Sequence, residues 1–90
     1  MGKRDRLEII YTILDIVRKH KNAIKPTPLL RFTNVSSQSF QQYYSELLEK
    51  KFLIENIDRK GRKSISCTEK GFRYLEKYSL ILGFIDEFEL

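Results

Sequence analysis

The residues of this 90-residue chain best suited to binding chemistry are four cations grouped around one glycine. The two short β-prone runs of the sequence are joined by a segment in which Gly61 is flanked by Arg59, Lys60, Arg62 and Lys63. This pattern predicts a hairpin with a basic tip. Such a tip can lie along a phosphate backbone or place an arginine in a narrow minor groove. Charged tips also serve solubility and edge protection, but a predicted helix-turn-helix directly before the hairpin favours DNA binding.

The second candidate is an uncharged, amide-rich face on the helix predicted after the turn at residues 34–37. The buried side of this helix carries apolar residues at helical spacing: Phe40, Tyr44, Leu47 and Leu48. The other side and its flanks carry the residues that we expect to contact DNA: Ser37, Gln38, Gln41, Gln42 and Ser45. Because a glutamine amide can pair with two groups of adenine, Gln38 and Gln42 are the expected base contacts. A face that is only solvated more commonly carries Glu and Lys.

Apolar spacing also predicts the helices that must position these residues. A first helix is expected from about Asp5 to Lys19, with apolar residues at intervals of three and four: Leu7, Ile10, Leu14 and Val17. A short second helix is expected over residues 29–32, because Thr27 is a suitable cap and Pro28 a favoured first helical residue. The third helix is expected to end near Lys50, whose charge suits the negative end of a helix dipole.

A hairpin and a last helix complete the predicted order. The runs at residues 52–57 and 64–67 predict two strands, and Thr68 is a suitable cap for a helix that reaches the end of the sequence. A short helix, a tight turn, a longer helix and a hairpin form a winged helix-turn-helix. We therefore expect a mostly α fold with a small β-hairpin, built as one compact domain. In it, residues 1–67 form the DNA-binding part and residues 68–90 a C-terminal dimerisation helix.

The last predicted helix is apolar over more of its surface than one chain of this size can cover. Two stripes at heptad-like spacing supply the residues expected in a dimer contact: Tyr74, Tyr78, Ile81, Leu82, Ile85 and Phe88. One stripe is expected to pack on the first helix and the other on a second copy of the chain. The alternative is a helix that packs only within its own chain.

Positive charge is concentrated in the body of the sequence. Residues 1–66 hold 14 basic and 7 acidic side chains, whereas residues 67–90 hold 3 and 5. A basic body attracts polyanions, because each neutralised phosphate releases condensed counterions. Further expected phosphate contacts are Lys25 and Arg31, near the short helix, and a basic arm at the start of the sequence: Lys3, Arg4 and Arg6. The alternative is that the net charge of +5 only keeps a small protein in solution.

Catalysis and metal binding find little support in the sequence. One cysteine and one histidine make neither an internal disulfide nor a four-ligand zinc site. We expect His20 to cap the first helix and Cys67 to be a small buried apolar residue. There is no glycine-rich phosphate loop, and no nucleophile with a matching base. We therefore expect a non-enzymatic protein without cofactor or metal. With no run of about 20 apolar residues, we expect no membrane contact and a place in the cytoplasm at the nucleoid.

Four segments of the chain resemble archaeal winged-helix DNA-binding proteins. They are LEIIYTIL at 7–14, NVS at 34–36, YSELLEKKFLI at 44–54 and CTEKGFRYL at 67–75. The likeness covers most of the chain and is greatest to the Sulfolobus ten-a type of small chromatin-associated protein. That resemblance implies pairing through the C-terminal helix. The last helix here spans little more than 20 residues, so it is shorter than the coiled-coil arm of that family.

These patterns together predict double-stranded DNA binding by a homodimer. The third helix is expected in the major groove, with the basic wing on the backbone or in the minor groove. Such a protein serves as a transcriptional regulator or as a chromatin-associated protein. The alternative is a winged-helix module that uses its apolar last helix to join a protein complex and does not read DNA.

Overall fold

The computed structural model describes residues 5–90. In that range the elements are α1 (Arg6–Lys19), α2 (Pro26–Thr33), α3 (Ser37–Glu49), β1 (Leu53–Ile57), β2 (Lys63–Cys67) and α4 (Glu69–Glu87). The described part is mostly helical with one antiparallel hairpin, which confirms the predicted fold class. Lys3 and Arg4, predicted for a basic arm, lie outside the described residues.

Side-chain caps begin three of the four helices. Asp5 accepts the backbone N–H of Glu8 at the start of α1, and Ser36 accepts that of Ser39 at the start of α3. Thr68, as predicted, caps α4 by accepting the N–H of Gly71. These caps satisfy backbone donors that have no partner inside the helix. They explain why the first residues of these three helices could be predicted from the sequence to within one residue.

The predicted start of α2 is wrong. The helix begins at Pro26 and runs to Thr33, whereas Thr27 was expected to cap a helix over residues 29–32. The N-terminal flank is Lys25, and no side chain caps it. Both prolines fit because the first turn of a helix uses no backbone N–H, so a second proline there removes no hydrogen bond. Asn34 ends the helix in the left-handed conformation, at φ 58°.

The wing is a five-residue by five-residue hairpin that is joined to a third short segment. Leu53 pairs with Cys67 at its base and Ile57 with Lys63 at its tip. Ile24, between α1 and α2, bridges to Ile65 on the free edge of β2. Gly61 lies in the turn of the predicted hairpin, at φ 78°, a conformation that glycine adopts without strain.

The hydrophobic core takes residues from all six elements and from the segment before α2. Its buried members are Ile10, Ile13, Leu14, Val17, Ile24, Leu29, Phe40, Leu47, Leu53, Ile65, Cys67 and Leu75. Leu7 shares its predicted apolar stripe with Ile10, Leu14 and Val17, but it is 49% exposed whereas the other three are buried. Its helical turn extends past the edge of the core. Gly71 allows α4 to approach the segment between α3 and β1, because a Cβ there would lie 2.5 Å from the carbonyl oxygen of Phe52.

The second half of α4 projects beyond the core. In α4 only Gly71 and Leu75 are buried, and every residue from Ser79 onward is exposed. The described chain is accordingly elongated, with extents of 50 × 26 × 21 Å. The exposed apolar end of α4 and the charged wing are surfaces of opposite character.

Candidate nucleic-acid interface

The N-terminal half of the outward face of α3 is uncharged and open to solvent. Phe40 and Leu47 are buried on its inner side, while Tyr43, Tyr44 and Leu48 are half-buried against the core. All five expected DNA contacts on this helix are exposed: Ser37, Gln38, Gln41, Gln42 and Ser45. Within residues 5–90 none of the three glutamine side chains makes a hydrogen bond. Their amides are therefore available to base edges.

A polar hollow of about 270 Å³ lies beside this face. It is lined by Arg6, Ser39, Gln42, Tyr43 and Glu46. Arg6 of α1 forms an ion pair with Glu46 of α3, and Lys50 also binds that carboxylate at 2.8 Å. The hydrogen bond from Lys50, followed by the charge of Arg6, holds the pKa of Glu46 below its usual value. The sequence suggested Arg6 for an N-terminal arm. No local pattern could have indicated its contact with a residue 40 positions away.

One aspartate orders the turn of the wing. Asp58 Oδ1 accepts the backbone N–H groups of Lys60 and Arg62, both at 2.9 Å, and its Oδ2 accepts Arg62 Nε at 2.9 Å. The backbone hydrogen bond from Arg62 is the main cause that lowers the pKa of Asp58. Asp58 thus both shapes the tip and neutralises one of its cations.

The four cations of the tip divide into two pairs. Arg62 binds Asp58, and Lys63 Nζ lies 3.5 Å from Glu55 Oε1. Within residues 5–90, Arg59 and Lys60 form no ion pair, and both are exposed. Their charges are therefore the ones fully available to a phosphate backbone.

Lys25 and Arg31 are the two further cations predicted to contact phosphates. Lys25 lies at the wing, and Arg31 does not. Lys25 lines a hollow of about 230 Å³ beside the tip of the hairpin, together with Asn56, Ile57, Asp58, Arg62, Lys63 and Ser64. Arg31 instead lies with its guanidinium carbon 6.0 Å from the ring centre of Phe32 and takes no part in this hollow. Lys25 therefore adds a third cation beside Arg62 and Lys63.

A hydrogen bond between α3 and β1 was not anticipated. The hydroxyl of Tyr44 donates to Glu55 Oε2, although the sequence indicated only a core position for Tyr44 and no role for Glu55. Burial, followed by this bond to Glu55, raises the pKa of Tyr44, and the same bond is the main cause that lowers the pKa of Glu55. An acceptor opposite a tyrosine on another element is a long-range feature that spacing along the chain does not encode.

The six residues predicted for a dimer contact fall into two groups. Tyr74 and Tyr78 pack on their own chain: the Tyr74 hydroxyl donates to the Leu7 carbonyl oxygen at 2.7 Å, and the Tyr78 ring stacks on Tyr11 at 4.8 Å. Burial is the main cause that raises the pKa of Tyr74 to about 12. The other four are exposed and extend toward the end of the helix: Ile81, Leu82, Ile85 and Phe88. Leu80 and Phe84, also exposed, widen this apolar end.

An apolar hollow of about 440 Å³ adjoins these residues where α4 leaves the core. It is lined by Leu7, Phe52, Lys70, Arg73, Tyr74, Lys77, Tyr78 and Ile81. Lys70 is already engaged, since its Nζ donates to the Lys50 carbonyl oxygen at 2.8 Å and lies 4.4 Å from the Phe52 ring centre. The hollow and the exposed end of α4 form one continuous apolar surface through Ile81.

The lone histidine and cysteine have the structural roles expected of them. His20 ends α1, with Nδ1 2.8 Å from the carbonyl oxygen of Ile16. Cys67 is buried, its Sγ lies 3.4 Å from the Leu14 carbonyl oxygen, and burial raises the pKa of the thiol to about 11. Residues 5–90 contain no group of three or more His, Cys, Asp or Glu side chains placed to hold a metal ion. Nor does any described helix have the length and apolar character needed to span a membrane.

A family model described as winged helix-turn-helix matches residues 3–84. The match covers most of the chain, and the protein therefore belongs to the winged helix-turn-helix family. No curated protein and no solved structure matches the sequence. At the general level this family defines a DNA-binding domain, typically without enzymatic activity.

Proposed function

We propose that the protein binds double-stranded DNA as a homodimer, with α3 in the major groove and the wing on the backbone or in the minor groove. The observation that carries this proposal is the pairing of two unlike surfaces on adjacent elements. The exposed face of α3 offers uncharged amides, and the wing tip offers two cations that form no ion pair within residues 5–90, Arg59 and Lys60. Amides suit base edges and cations suit phosphates, so together they match the two components of a duplex.

The proposed contacts divide by chemistry. On α3, Gln38 and Gln42 pair with bases, while Ser37, Gln41 and Ser45 contact bases or the sugar-phosphate backbone. Phosphate contacts come from the wing cations and from two residues near α2: Arg59, Lys60, Arg62, Lys63, Lys25 and Arg31. Of the two near α2, Lys25 has the stronger support because it lies beside Arg62 and Lys63.

A binding titration tests DNA binding directly. The wild-type protein is titrated with a fluorescent mixed-sequence duplex at several salt concentrations. We expect saturable binding, and log K should fall linearly with log[salt] by about 0.9 for each phosphate contact. A matched duplex composed of uncharged backbone units is the control and should not bind. Absence of binding to any duplex in low salt would reject the proposal.

The homodimer is supported by the exposed apolar end of α4. In this proposal residues 1–67 form the DNA-binding part, and residues 68–90 carry the dimer contact through Tyr74, Tyr78, Ile81, Leu82, Ile85 and Phe88. A soluble monomer rarely exposes so continuous an apolar patch. Two copies also place two recognition helices on one duplex, and the second half-site then binds at a high effective concentration. Sedimentation equilibrium over a range of concentrations measures the association.

The biological role that we propose is that of a transcriptional regulator or chromatin-associated protein, acting in the cytoplasm at the nucleoid. It follows the resemblance of the sequence to the archaeal ten-a type of protein. A protein with few sequence preferences would bind most duplexes within about tenfold, whereas a regulator prefers its own sites by at least about a thousandfold. Selection of bound sequences from a random duplex pool distinguishes the two roles.

A second candidate function is a winged-helix module that joins a protein complex and does not read DNA. The exposed apolar residues at positions 80–88 are the observation that favours it. That function gives no binding role to the amide face of α3 or to the cations of the wing tip. Retained association through α4 together with no DNA binding would favour this second candidate.

A further inference from the structure

We propose that Glu55 is a positioning residue that holds the wing at a fixed angle to α3, so that both elements reach the same duplex. This inference rests on the proposed DNA binding and adds a role that lies outside the expected contacts. Glu55 is an acid on a hairpin whose tip carries four cations and one other acid, Asp58. Because a carboxylate near DNA repels phosphates, its presence there calls for a compensating role.

Apolar packing fixes only the base of the hairpin. In β1 only Leu53 is buried, and every later residue of the strand is exposed. On the β2 side the last buried residue toward the tip is Ile65, which exchanges two backbone hydrogen bonds with Ile24, at 3.1 and 2.7 Å. Between Leu53 and Ile65 no residue of the hairpin is buried, so apolar packing does little to prevent the hairpin from tilting about its base.

The bond from Tyr44 to Glu55 lies at the outer limit of this base, where Glu55 pairs with Ile65. It is the one hydrogen bond between α3 and the hairpin within residues 5–90. Glu55 follows Leu53 by two positions in β1, so alternation along the strand turns both side chains toward α3. The bond therefore acts on β1, while the Ile24 bridge acts on β2, and the two restrain the hairpin from both edges.

The donor of this bond is itself held in place. The ring of Tyr44 is half-buried and stacks on buried Phe40, with ring centres 5.5 Å apart and planes 12° apart. On the other side, Lys63 of β2 lies 3.5 Å from the second carboxylate oxygen of Glu55. Tyr44, Glu55 and Lys63 thus connect α3, β1 and β2 in one polar chain. The low pKa of Glu55 and the raised pKa of Tyr44 keep acceptor and donor in the required forms at neutral pH.

A role of Glu55 through its charge and a role in positioning the wing predict opposite changes in DNA affinity when its carboxylate is removed, so the proposal can be tested. If Glu55 acts only by its charge, Glu55→Ala removes a repulsion and tightens DNA binding. If Glu55 positions the wing, Glu55→Ala weakens binding by about two- to tenfold, the usual effect of one hydrogen bond. Tyr44→Phe keeps the ring and removes only the donor, and it should weaken binding by a similar factor.

Conservative variants and matched controls complete the set. Glu55→Gln keeps an acceptor oxygen and should bind at least as tightly as the wild type. Tyr11→Phe removes the hydroxyl of a ring on α1 that stacks on Tyr78 of α4. This hydroxyl makes no hydrogen bond within residues 5–90, and the variant should have no effect. Glu49→Gln removes an exposed negative charge from the same helix and should slightly tighten binding. The double variant Tyr44→Phe with Glu55→Ala should lose no more than either single variant, because both break one bond.

Two further measurements separate failure of this inference from failure of DNA binding. Hydroxyl-radical footprints of the variants should lose the protection made by the wing and keep that made by α3. In the free proteins, residual dipolar couplings should give one fixed angle between hairpin and α3 in the wild type and a spread of angles in Tyr44→Phe. The second measurement needs no DNA. A fixed angle in that variant, or tighter binding by Glu55→Ala, overturns the role of Glu55 and leaves the proposed function standing.

Discussion

The side-chain amide of Asn22 hydrogen-bonds to both backbone groups of Cys67, at the end of the last strand. Its Oδ1 accepts the Cys67 N–H at 2.8 Å, and its Nδ2 donates to the Cys67 carbonyl oxygen at 3.4 Å. The Asn22 carbonyl oxygen in turn accepts the hydroxyl of Ser66 at 2.6 Å. The turn after α1 is thereby fixed to the free edge of β2, next to the point where Ile24 bridges to Ile65.

Asn22→Ala should lower the free energy of unfolding by about 2–4 kcal/mol. Loss of the amide leaves backbone groups of Cys67 without their partner, at about 1–3 kcal/mol. Asn22 also has a left-handed backbone, at φ 54°, which disfavours alanine by about 1 kcal/mol. Chemical denaturation followed by circular dichroism measures the change.

Asn34→Ala is the matched control for this prediction. Asn34 has the same left-handed backbone, at φ 58°, but its exposed side chain makes no hydrogen bond within residues 5–90. Alanine there should cost only the conformational part, about 1 kcal/mol. Equal losses at both positions would show that the amide of Asn22 contributes nothing beyond its backbone preference.

The parts of the fold that the sequence predicted correctly are those encoded locally. The cap at Thr68 and the spacing of Phe40 and Leu47 act within a few residues, so they can be recognised along the chain. Contacts such as Asn22 with Cys67, or Tyr44 with Glu55, join distant segments and have no signature in spacing. Amide and hydroxyl groups of these types occur in most sequences, and only the fold determines which of them meet.

The turn of the wing should depend on pH through Asp58. The pKa of Asp58 is lowered in the folded protein. Asp58 therefore contributes its full stabilisation of the turn at pH values above its ordinary, unfolded pKa of about 3.9. That contribution is lost as pH falls through the lower, folded pKa. In an NMR titration the amide signals of Lys60 and Arg62 should therefore shift together, with a midpoint below the ordinary range of aspartate. Asp58→Asn should abolish this transition. A midpoint at or above the ordinary value contradicts the hydrogen bonds at the tip.

The two pairs of tip cations should contribute unequally to DNA binding. Replacing Arg59 and Lys60 by Ala should flatten the slope of log K against log[salt] by about 0.9 for each lost phosphate contact. Replacing Arg62 and Lys63 by Ala should flatten it less, since each already has an acidic partner. Affinity should fall by similar factors on all duplexes, because phosphate contacts carry no sequence information. Identical slopes for the two double variants would show that the acids do not restrain Arg62 and Lys63.

The amides of α3 should govern preference among sequences. Gln38→Ala together with Gln42→Ala should reduce the binding free energy that separates preferred sites from random DNA. The expected loss is about 1–3 kcal/mol for each lost two-pronged pair. Non-specific affinity and the salt slope should change little, because no charge is removed. Glu49→Gln is a suitable control, since it alters charge at the far end of the same exposed face. If selected sites keep their full advantage over random DNA, these two residues do not contact bases.

The exposed end of α4 allows association to be tested without loss of the fold. Ile81 and Ile85 are 51% and 41% exposed in the single chain, so Glu at both positions should leave a folded monomer. In a dimer the same charges enter a dry contact, where each unpaired charge is strongly unfavourable.

Sedimentation should show a dimer for the wild type and a monomer for the double variant. The monomer should bind DNA far more weakly, because the second half-site is then no longer tethered. Glu76→Gln, almost opposite Ile85 on the same helix, should leave association unchanged. A wild-type chain that stays monomeric at high micromolar concentration would contradict the proposed homodimer.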